Sequence, residues 1–401
     1  MEKKVYSSEI ERDIRSAVEN FEIVLREQVA RNQRMRAERE EKDVANKTGN
    51  LAPSSNRDKV IIGTAAGDGI GPIIMTEAES VLKAVLRDRL TSGSIVLKPI
   101  EGFTLENRLA AGKTVPESVM AAMSECDVLL KGPTTTPNAA MNTANIESAN
   151  VYLRKSFDLF ANVRPVSIPE EGIDWTFFRE NTEGEYALGS KGEYITGELA
   201  VDFKVTTDEG TERIARAAYE YARANGKKRV SIVTKANIMK KTDGNFLNIC
   251  REVAKEYPEI ETDSWFIDIM AANLVNKNIR NNFQVFVLPN LYGDIITDEA
   301  AQIQGGVGTA GSANIGRNYA IFEAIHGSAP RMIEDGLGEY ANPSSLLKAA
   351  VMMLSHVGYR NESKRLEDAL EAADKELGPR MTGMAGGATC REYAELVISR
   401  L

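Results

Sequence analysis

An α/β class with a largely parallel sheet is predicted by three observations. Short, mostly apolar runs recur, as in Val230-Ser231-Ile232-Val233 and Val285-Phe286-Val287-Leu288, which is how strands covered on both faces read. The run Val60-Ile61-Ile62-Gly63 enters a glycine turn, Gly67-Asp68-Gly69-Ile70-Gly71-Pro72, and a helical pattern follows through Leu86. Helical segments separate the later runs as well, so strands and covering helices alternate along the chain.

Residues 1–57 stand apart from this alternation. Ser8 with Glu11 makes a capping-box pattern, and Ile10, Ile14, Val18, Phe21 and Leu25 follow at helical spacing. That pattern predicts a helix whose apolar stripe docks on its own body or a neighbouring subunit, with a flexible arm as the alternative. After Val29 the helix becomes almost wholly charged, through Arg39-Glu40-Glu41-Lys42, and a polar linker is expected from Asn46 to Asp58.

The glycine turn lacks the third glycine of the dinucleotide fingerprint, so it signals only a tight backbone that can approach a ligand closely. Cys126-Asp127-Val128-Leu129-Leu130-Lys131-Gly132 is another short strand running into a turn. Between residues 183 and 207, Tyr186, Tyr194, Ile195, Val201, Phe203 and Val205 alternate with glycines and polar residues, as in an excursion of antiparallel strands that pairs with its counterpart in a dimer or forms a surface hairpin.

Composition excludes several classes. The 401 residues are 43% hydrophobic and 27% charged, enough to bury a large core. A net charge of -9 argues against nucleic acid or an anionic membrane as the main partner. Three widely spaced cysteines, Cys126, Cys250 and Cys390, have no zinc or redox spacing and read as reduced core residues. With only His326 and His356, a His-supported nucleophile or a multi-His metal site is not expected. There is no apolar run of membrane-spanning length and no signal peptide, so a soluble, cytoplasmic protein is expected.

The chemistry concentrates in a few stretches. Arg154, Arg164 and Arg179 stand among residues suited to a buried interior, the latter two expected at the ends of apolar strands, and three guanidinium forks suit a substrate with several carboxylates. In Asn290-Leu291-Tyr292-Gly293-Asp294-Ile295-Ile296-Thr297-Asp298 two carboxylates lie four residues apart, on one helix face, able to share a hard divalent cation. Asp268 occurs in the apolar run Trp265-Phe266-Ile267-Asp268-Ile269-Met270, where burial would demand a cation or partner. Lys235, just after a strand, is a candidate general base, Tyr186 a candidate acid. Phe322-Glu323-Ala324-Ile325-His326-Gly327-Ser328-Ala329-Pro330-Arg331, with Asn342 beyond, could cradle an adenine and its ribose.

From about Lys59 onward these motifs resemble the metal-dependent β-decarboxylating dehydrogenases, a family that includes isocitrate, homoisocitrate and 3-isopropylmalate dehydrogenases. The resemblance implies a two-domain, non-Rossmann α/β fold with a dimer arm of antiparallel strands. It implies a nucleotide-binding domain of residues 58–159 and 305–401, and a smaller dimerisation domain of residues 160–304 that includes the arm, about 183–207. It implies that Arg154, Arg164 and Arg179 hold substrate carboxylates, and that Asp294 and Asp298 join Asp268 of the other subunit around Mg²⁺ or Mn²⁺. Lys235, also donated across a homodimer, would assist removal of the hydroxyl proton, and Tyr186 would protonate the enolate after carbon dioxide leaves.

The resemblance also bears on substrate and coenzyme. Ser148 and Asn150 resemble the pair with which isocitrate enzymes contact the third carboxylate, and Lys131 and Thr136 look like the isocitrate loop; Tyr152-Leu153-Arg154 is reminiscent of homoisocitrate enzymes. Glu147, His326, Gly327, Ser328, Ala329, Pro330, Arg331, Met332 and Asn342 are the implied coenzyme contacts. Arg331 stands where NAD-using relatives carry an Asp, which points to NADP, while Gly386-Gly387-Ala388-Thr389 resembles NAD-using members. The expected activity is oxidative decarboxylation of isocitrate to 2-oxoglutarate. The alternatives are a homoisocitrate or other 3-substituted malate dehydrogenase, or a non-catalytic, ligand-sensing subunit of a heteromeric dehydrogenase.

Overall fold

In the computed structural model, residues 7–43, 59–137, 146–188 and 191–401 are described. The linker expected from Asn46 to Asp58 lies outside them. The chain opens with helix α1 (Ser8–Asp43), then β1 (Val60–Ala65), α2 (Gly71–Val85), α3 (Arg87–Thr91), β2 (Ile95–Pro99), α4 (Leu105–Ala111), α5 (Glu117–Ser124), β3 (Val128–Lys131) and α6 (Ala149–Ser156). Next come β4 (Ala161–Ile168), β5 (Ile173–Glu180), β6 (Glu193–Ile195), β7 (Leu199–Val201), α7 (Asp208–Ala224), β8 (Arg229–Thr234), α8 (Thr242–Ala254), β9 (Glu261–Phe266) and α9 (Ile267–Val275). The chain ends with β10 (Val285–Leu288), α10 (Asn290–Gln304), β11 (Gly311–Ile315), β12 (Ala320–Ala324), α11 (Pro330–Glu334), α12 (Ser344–His356), α13 (Arg360–Leu377) and α14 (Cys390–Arg400).

The apolar four-residue runs become central strands because only a site covered on both faces removes Val, Ile, Leu and Phe from water at every position. Ten strands form one sheet in the order β2-β1-β3-β12-β11-β4-β5-β10-β8-β9. The two wings are parallel, as expected, but β11 pairs antiparallel with both β12 and β4, and β4 pairs antiparallel with β5. The strands of one wing therefore run opposite to those of the other, and residues from both meet in the middle. The arm expected between 183 and 207 is the antiparallel hairpin of β6 and β7, with Gly184 bridging Val205 at its base.

One apolar core fills the space between the sheet and helices α2, α7, α8, α12, α13 and α14. A second lies under the β4, β5, β10 region, where Phe177 stacks on Phe286 at 4.3 Å and Trp175 meets both rings edge-on. All three cysteines are buried and free, as the sequence suggested.

The glycine turn is a junction of loops. Asp68 accepts from the backbone amides of Leu105 and Thr135, and the Ile70 amide donates to the Ser328 carbonyl. Gly69 has φ 58°, and a Cβ there would sit 2.0 Å from that carbonyl, so no other side chain fits.

Helix α1 docks through a different face from the one its large apolar residues suggest. Ala17 and Val24 are buried and Phe21 packs edge-on against Phe203 of the arm at 4.9 Å, whereas Val18 and Leu25 are 56% and 61% exposed. The cap is also one residue earlier: the Ser7 hydroxyl accepts from the Ile10 amide. Polar anchors decide the face, since Asn20 donates to Glu193 at 2.7 Å and Arg31 pairs with buried Glu183 at 2.8 Å.

Replacing Phe286 with Ala should empty the stacked aromatic core beneath β10 and lower stability by about 3–5 kcal/mol. Urea denaturation of the two proteins checks this; a shift under about 1 kcal/mol would mean the aromatic stack is not tightly packed.

Candidate functional site

Strand register assembles the site. Lys131 lies beside Glu323, Glu323 beside Ser312, and farther along β11 Asn314 lies beside Asn162, which lies beside Arg179. Opposed residues in neighbouring strands share a face, and so do residues two apart on one strand, so these groups and Arg164 line one side of the sheet. Hydrogen bonds join Lys131, Glu323, Asn314, Asn162 and Ser312 in a belt. Lys131 Nζ meets Glu323 at 2.7 Å, Asn314 donates to Glu323 at 2.6 Å, and Asn162 donates to Asn314 and Ser312, both at 2.9 Å.

Glu323 is fully buried, and burial alone would push its carboxyl up. The charges of Lys131 and Arg154, the latter 3.6 Å away, outweigh that and hold it at about 2. A small cavity lies between Lys131, Asn150, Arg154, Asn314 and Glu323, so three predicted substrate residues share one space. Asn150 accepts from Thr134 at 3.1 Å and sits one helical turn before Arg154 on α6; Ser148 precedes that helix, and Thr136 is exposed nearby in sequence.

Arg164 and Arg179 converge on the first turns of α10. Arg179 is 1% exposed, pairs with Asp294, and donates through Nε and Nη2 to Asn290 at 3.1 and 2.7 Å. It lies flat across Gly293, where a Cβ would come within 2.5 Å of its Cγ. Arg164 donates to Thr297 at 2.5 Å and pairs with Asp298 at 3.2 Å and Asp294 at 3.7 Å. Arg164 stands in the middle of β4, not at a strand end as the sequence suggested, because β4 continues in an antiparallel pair to Ile168. Burial, reinforced by the charges of Arg154 and Arg164, pulls Arg179 down to about 9. Each arginine thus feels the others.

Tyr186 donates to the free oxygen of Asp294 at 2.5 Å and stacks under the Arg179 guanidinium at 5.1 Å. Burial and the neighbouring Asp294 carboxylate push the phenol above its usual range, so it keeps its proton. Asp294 is held below the usual carboxylate range although burial opposes it, because Arg179, Tyr186 and Arg164 stabilise the anion.

Lys235 and Asp268 are brought to each other and not to this cluster. Lys235 Nζ meets Asp268 at 2.5 Å. Asp268 is not buried, contrary to expectation: it lies in the first turn of α9 with its side chain 60% exposed, because the apolar run breaks from strand β9 into a helix at Ile267. Among the described residues no group of three His, Cys, Asp or Glu is arranged to hold a metal ion. Asp294 and Asp298 do share one face of α10.

The expected nucleotide loop follows β12. Ser328 bonds Thr135 at 2.7 Å, Ala329 has φ 45° at the start of α11, and exposed Arg331 lies within that helix. His326 donates through Nδ1 to the Gly327 carbonyl at 2.9 Å, its Nε2 is buried without a partner, and burial holds its pKa below the usual histidine range. Asn342 accepts from the amide and hydroxyl of Ser344, half-buried Met332 packs on the main core, and Glu147 pairs with Lys155 at 2.9 Å.

A family model described as isocitrate/isopropylmalate dehydrogenase matches residues 61–397. The chain belongs to the isocitrate/isopropylmalate dehydrogenase family. It is 38% identical over 343 residues to isocitrate dehydrogenase [NAD] subunit 2, mitochondrial, of Schizosaccharomyces pombe, covering 84% of this chain and 86% of that protein. It is 39% identical to isocitrate dehydrogenase [NADP] of Rickettsia bellii, covering 84% and 69%. The crystal structure of isocitrate dehydrogenase from Methylococcus capsulatus superposes with a TM-score of 0.75 at 35% identity, over 85% of this chain and 99% of that one. Helix α1 lies outside the family match. No described helix is long and apolar enough to cross a membrane.

Sequence reasoning passed over Asn162, Asn290, Asn314 and Glu323 as parts of this dehydrogenase site. Glu323 and the asparagines carry no signal until strand order is known; a buried-strand pattern interrupted by Glu in Ala320-Ile321-Phe322-Glu323-Ala324 was the available clue.

Glu323 has a folded pKa depressed below the ordinary 4.5, so it contributes stability above about pH 4.5 that is lost as pH falls toward 2. Compared with Glu323→Gln, the wild type should be more stable at neutral pH by about 3 kcal/mol, with the gap closing in that acid window. Urea midpoints across pH check this, and a pH-independent gap would contradict it.

Proposed function

We propose that this protein oxidises isocitrate and decarboxylates it to 2-oxoglutarate and carbon dioxide, reducing NADP or, as the alternative, NAD. The observation that carries the reading is the convergence of Arg154, Arg164 and Arg179 beside Asp294, Asp298 and proton-bearing Tyr186. The two aspartates are partners for Arg164 and Arg179; substrate carboxylates can replace them on the guanidinium forks.

A divalent cation suits what remains. Two carboxylates one helical turn apart supply hard oxygen ligands, and Asp268 from a second copy would complete the set. When bound, such an ion stabilises negative charge on the substrate hydroxyl oxygen and on the enolate. The chain's own residues do the rest. The arginines bind and orient the acid, Lys131 and Asn150 line a small cavity beside Arg154 and would meet a third carboxylate, and Lys235 of a second copy receives the hydroxyl proton. Hydride leaves the same carbon for the coenzyme, and Tyr186 returns a proton to the carbon that lost carbon dioxide.

A homodimer is part of the proposal. Lys235 and Asp268 sit apart from the cluster with exposed Ile238, Ile269, Val275 and Ile295 on neighbouring loops and on helices α9 and α10, apolar groups suited to burial against a second copy. For the coenzyme, the buried, unpartnered Nε2 of neutral His326 offers a hydrogen-bonding edge for an adenine, and exposed Arg331 offers a fork for a 2′-phosphate. A nucleotide-binding unit of residues 58–159 and 305–401 and a smaller unit of residues 160–304 are the division we adopt, and a cytoplasmic setting is part of the proposal.

Steady-state assay of the purified chain with Mn²⁺, isocitrate, homoisocitrate and 3-isopropylmalate, each with NAD and NADP, tests the reading. Isocitrate should give the highest kcat/KM, and Arg331→Asp should move the coenzyme ratio toward NAD by about tenfold or more, a change of ~1.4 kcal/mol. Equal turnover of the three acids would sink the substrate assignment. No turnover by the folded chain alone would favour the non-catalytic subunit.

A further inference from the structure

We propose that Arg31, on helix α1 outside the family match, is a positioning residue for the polyacid site, acting through Glu183 and Asn290 on Arg179. The proposal rests on the function given above, and it goes beyond it by giving residues 8–43 a role in substrate binding.

The path is continuous. Arg31 Nη1 meets Glu183 at 2.8 Å and Nη2 donates to Thr182 at 3.3 Å. The Glu183 carboxylate accepts from the amide and hydroxyl of Thr207 at 2.8 and 2.6 Å, at the head of α7. The carbonyl of Glu183 accepts from Asn290 Nδ2 at 2.9 Å, and Asn290 Oδ1 holds both Nε and Nη2 of Arg179. Every residue from Glu183 to Arg179 on this path is buried, so there is little room to take up slack.

Charge explains why an arginine is needed there. Glu180 and Glu183 are both buried in the turn that leads from Arg179 to Tyr186, and Glu180 is pushed up to about 7 by burial and by the charge of Glu183. Arg213 lies on one side of the pair, bonding Thr182 at 2.8 Å and Asp158, and Arg31 closes the other. Without Arg31, Glu183 is a buried anion beside a second acid, and the cheapest relief is for the turn to move toward solvent. Its carbonyl would then leave Asn290, and Asn290 would release Arg179. Loss of a pre-set guanidinium weakens substrate and transition state alike, which raises KM more than it lowers kcat.

Kinetics of the full-length protein with isocitrate, Mn²⁺ and the preferred coenzyme test this, using Arg31→Met, Arg31→Lys and Arg36→Ala. Arg36 also ties α1 to the body, through Asp208 and Glu209 at 3.5 and 3.8 Å, but does not touch Glu183. Arg31→Met should raise the KM for isocitrate about tenfold with kcat changed by less than about threefold, Arg31→Lys should recover most of the loss, and Arg36→Ala should leave KM unchanged. An unchanged KM in Arg31→Met overturns the proposal, and so does an equal rise in Arg36→Ala, which would make helix docking in general the cause. If Arg31→Met fails to fold, Arg31→Gln, which keeps a donor for Glu183 without the charge, is read by the same criterion. A wild type that does not turn over isocitrate would instead refute the function itself, before any variant is compared.

Discussion

Four cations taken out of water on one face of a sheet are the constraint from which the rest of this structure follows. Lys131, Arg154, Arg164 and Arg179 are all buried. Removing a charge from water costs several kcal/mol per ion unless partners compensate, and the protein supplies Glu323 to two of these and Asp294 with Asp298 to the other two. The compensation is incomplete: Arg179 is held down to about 9 by burial and by its fellow arginines, although Asp294 opposes the shift.

The topology serves that constraint. If all ten strands were parallel, every loop carrying ligands would leave the same sheet edge. The antiparallel insertion of β11 and β4 turns one wing over, so that Lys131 at the end of β3 and Arg179 at the end of β5 reach a common face through Glu323, Asn314 and Asn162. The amides in this belt carry hydrogen bonds from Glu323 on β12 through Asn314 on β11 to Asn162 on β4.

Much of this was legible from the residues, and the parts that were not have physical reasons. The apolar runs at 60–63, 230–233 and 285–288 read correctly as strands because burial on both faces leaves no other pattern, and Asp294 and Asp298 read correctly as one helix face because their spacing matches a turn. The exposure of Asp268 was not legible, because an apolar run does not show that the chain changes from strand to helix at Ile267 and turns the carboxylate outward. On α1, Phe21 of the apolar stripe meets the body together with Ala17, Asn20 and Arg31, and these contacts were not legible locally because the surface they meet is built from residues more than 150 positions away. Glu323, Asn290 and the belt asparagines gain meaning only from strand order, which no local period encodes.

A crystal of the protein grown with Mn²⁺ and isocitrate is the most direct test of the central claim. The account predicts the acid seated on the guanidiniums of Arg154, Arg164 and Arg179, with Asp294 and Asp298 released from the arginines and turned onto the ion. Asp294 and Asp298 still paired to Arg164 and Arg179, with the acid bound elsewhere or absent, would contradict it.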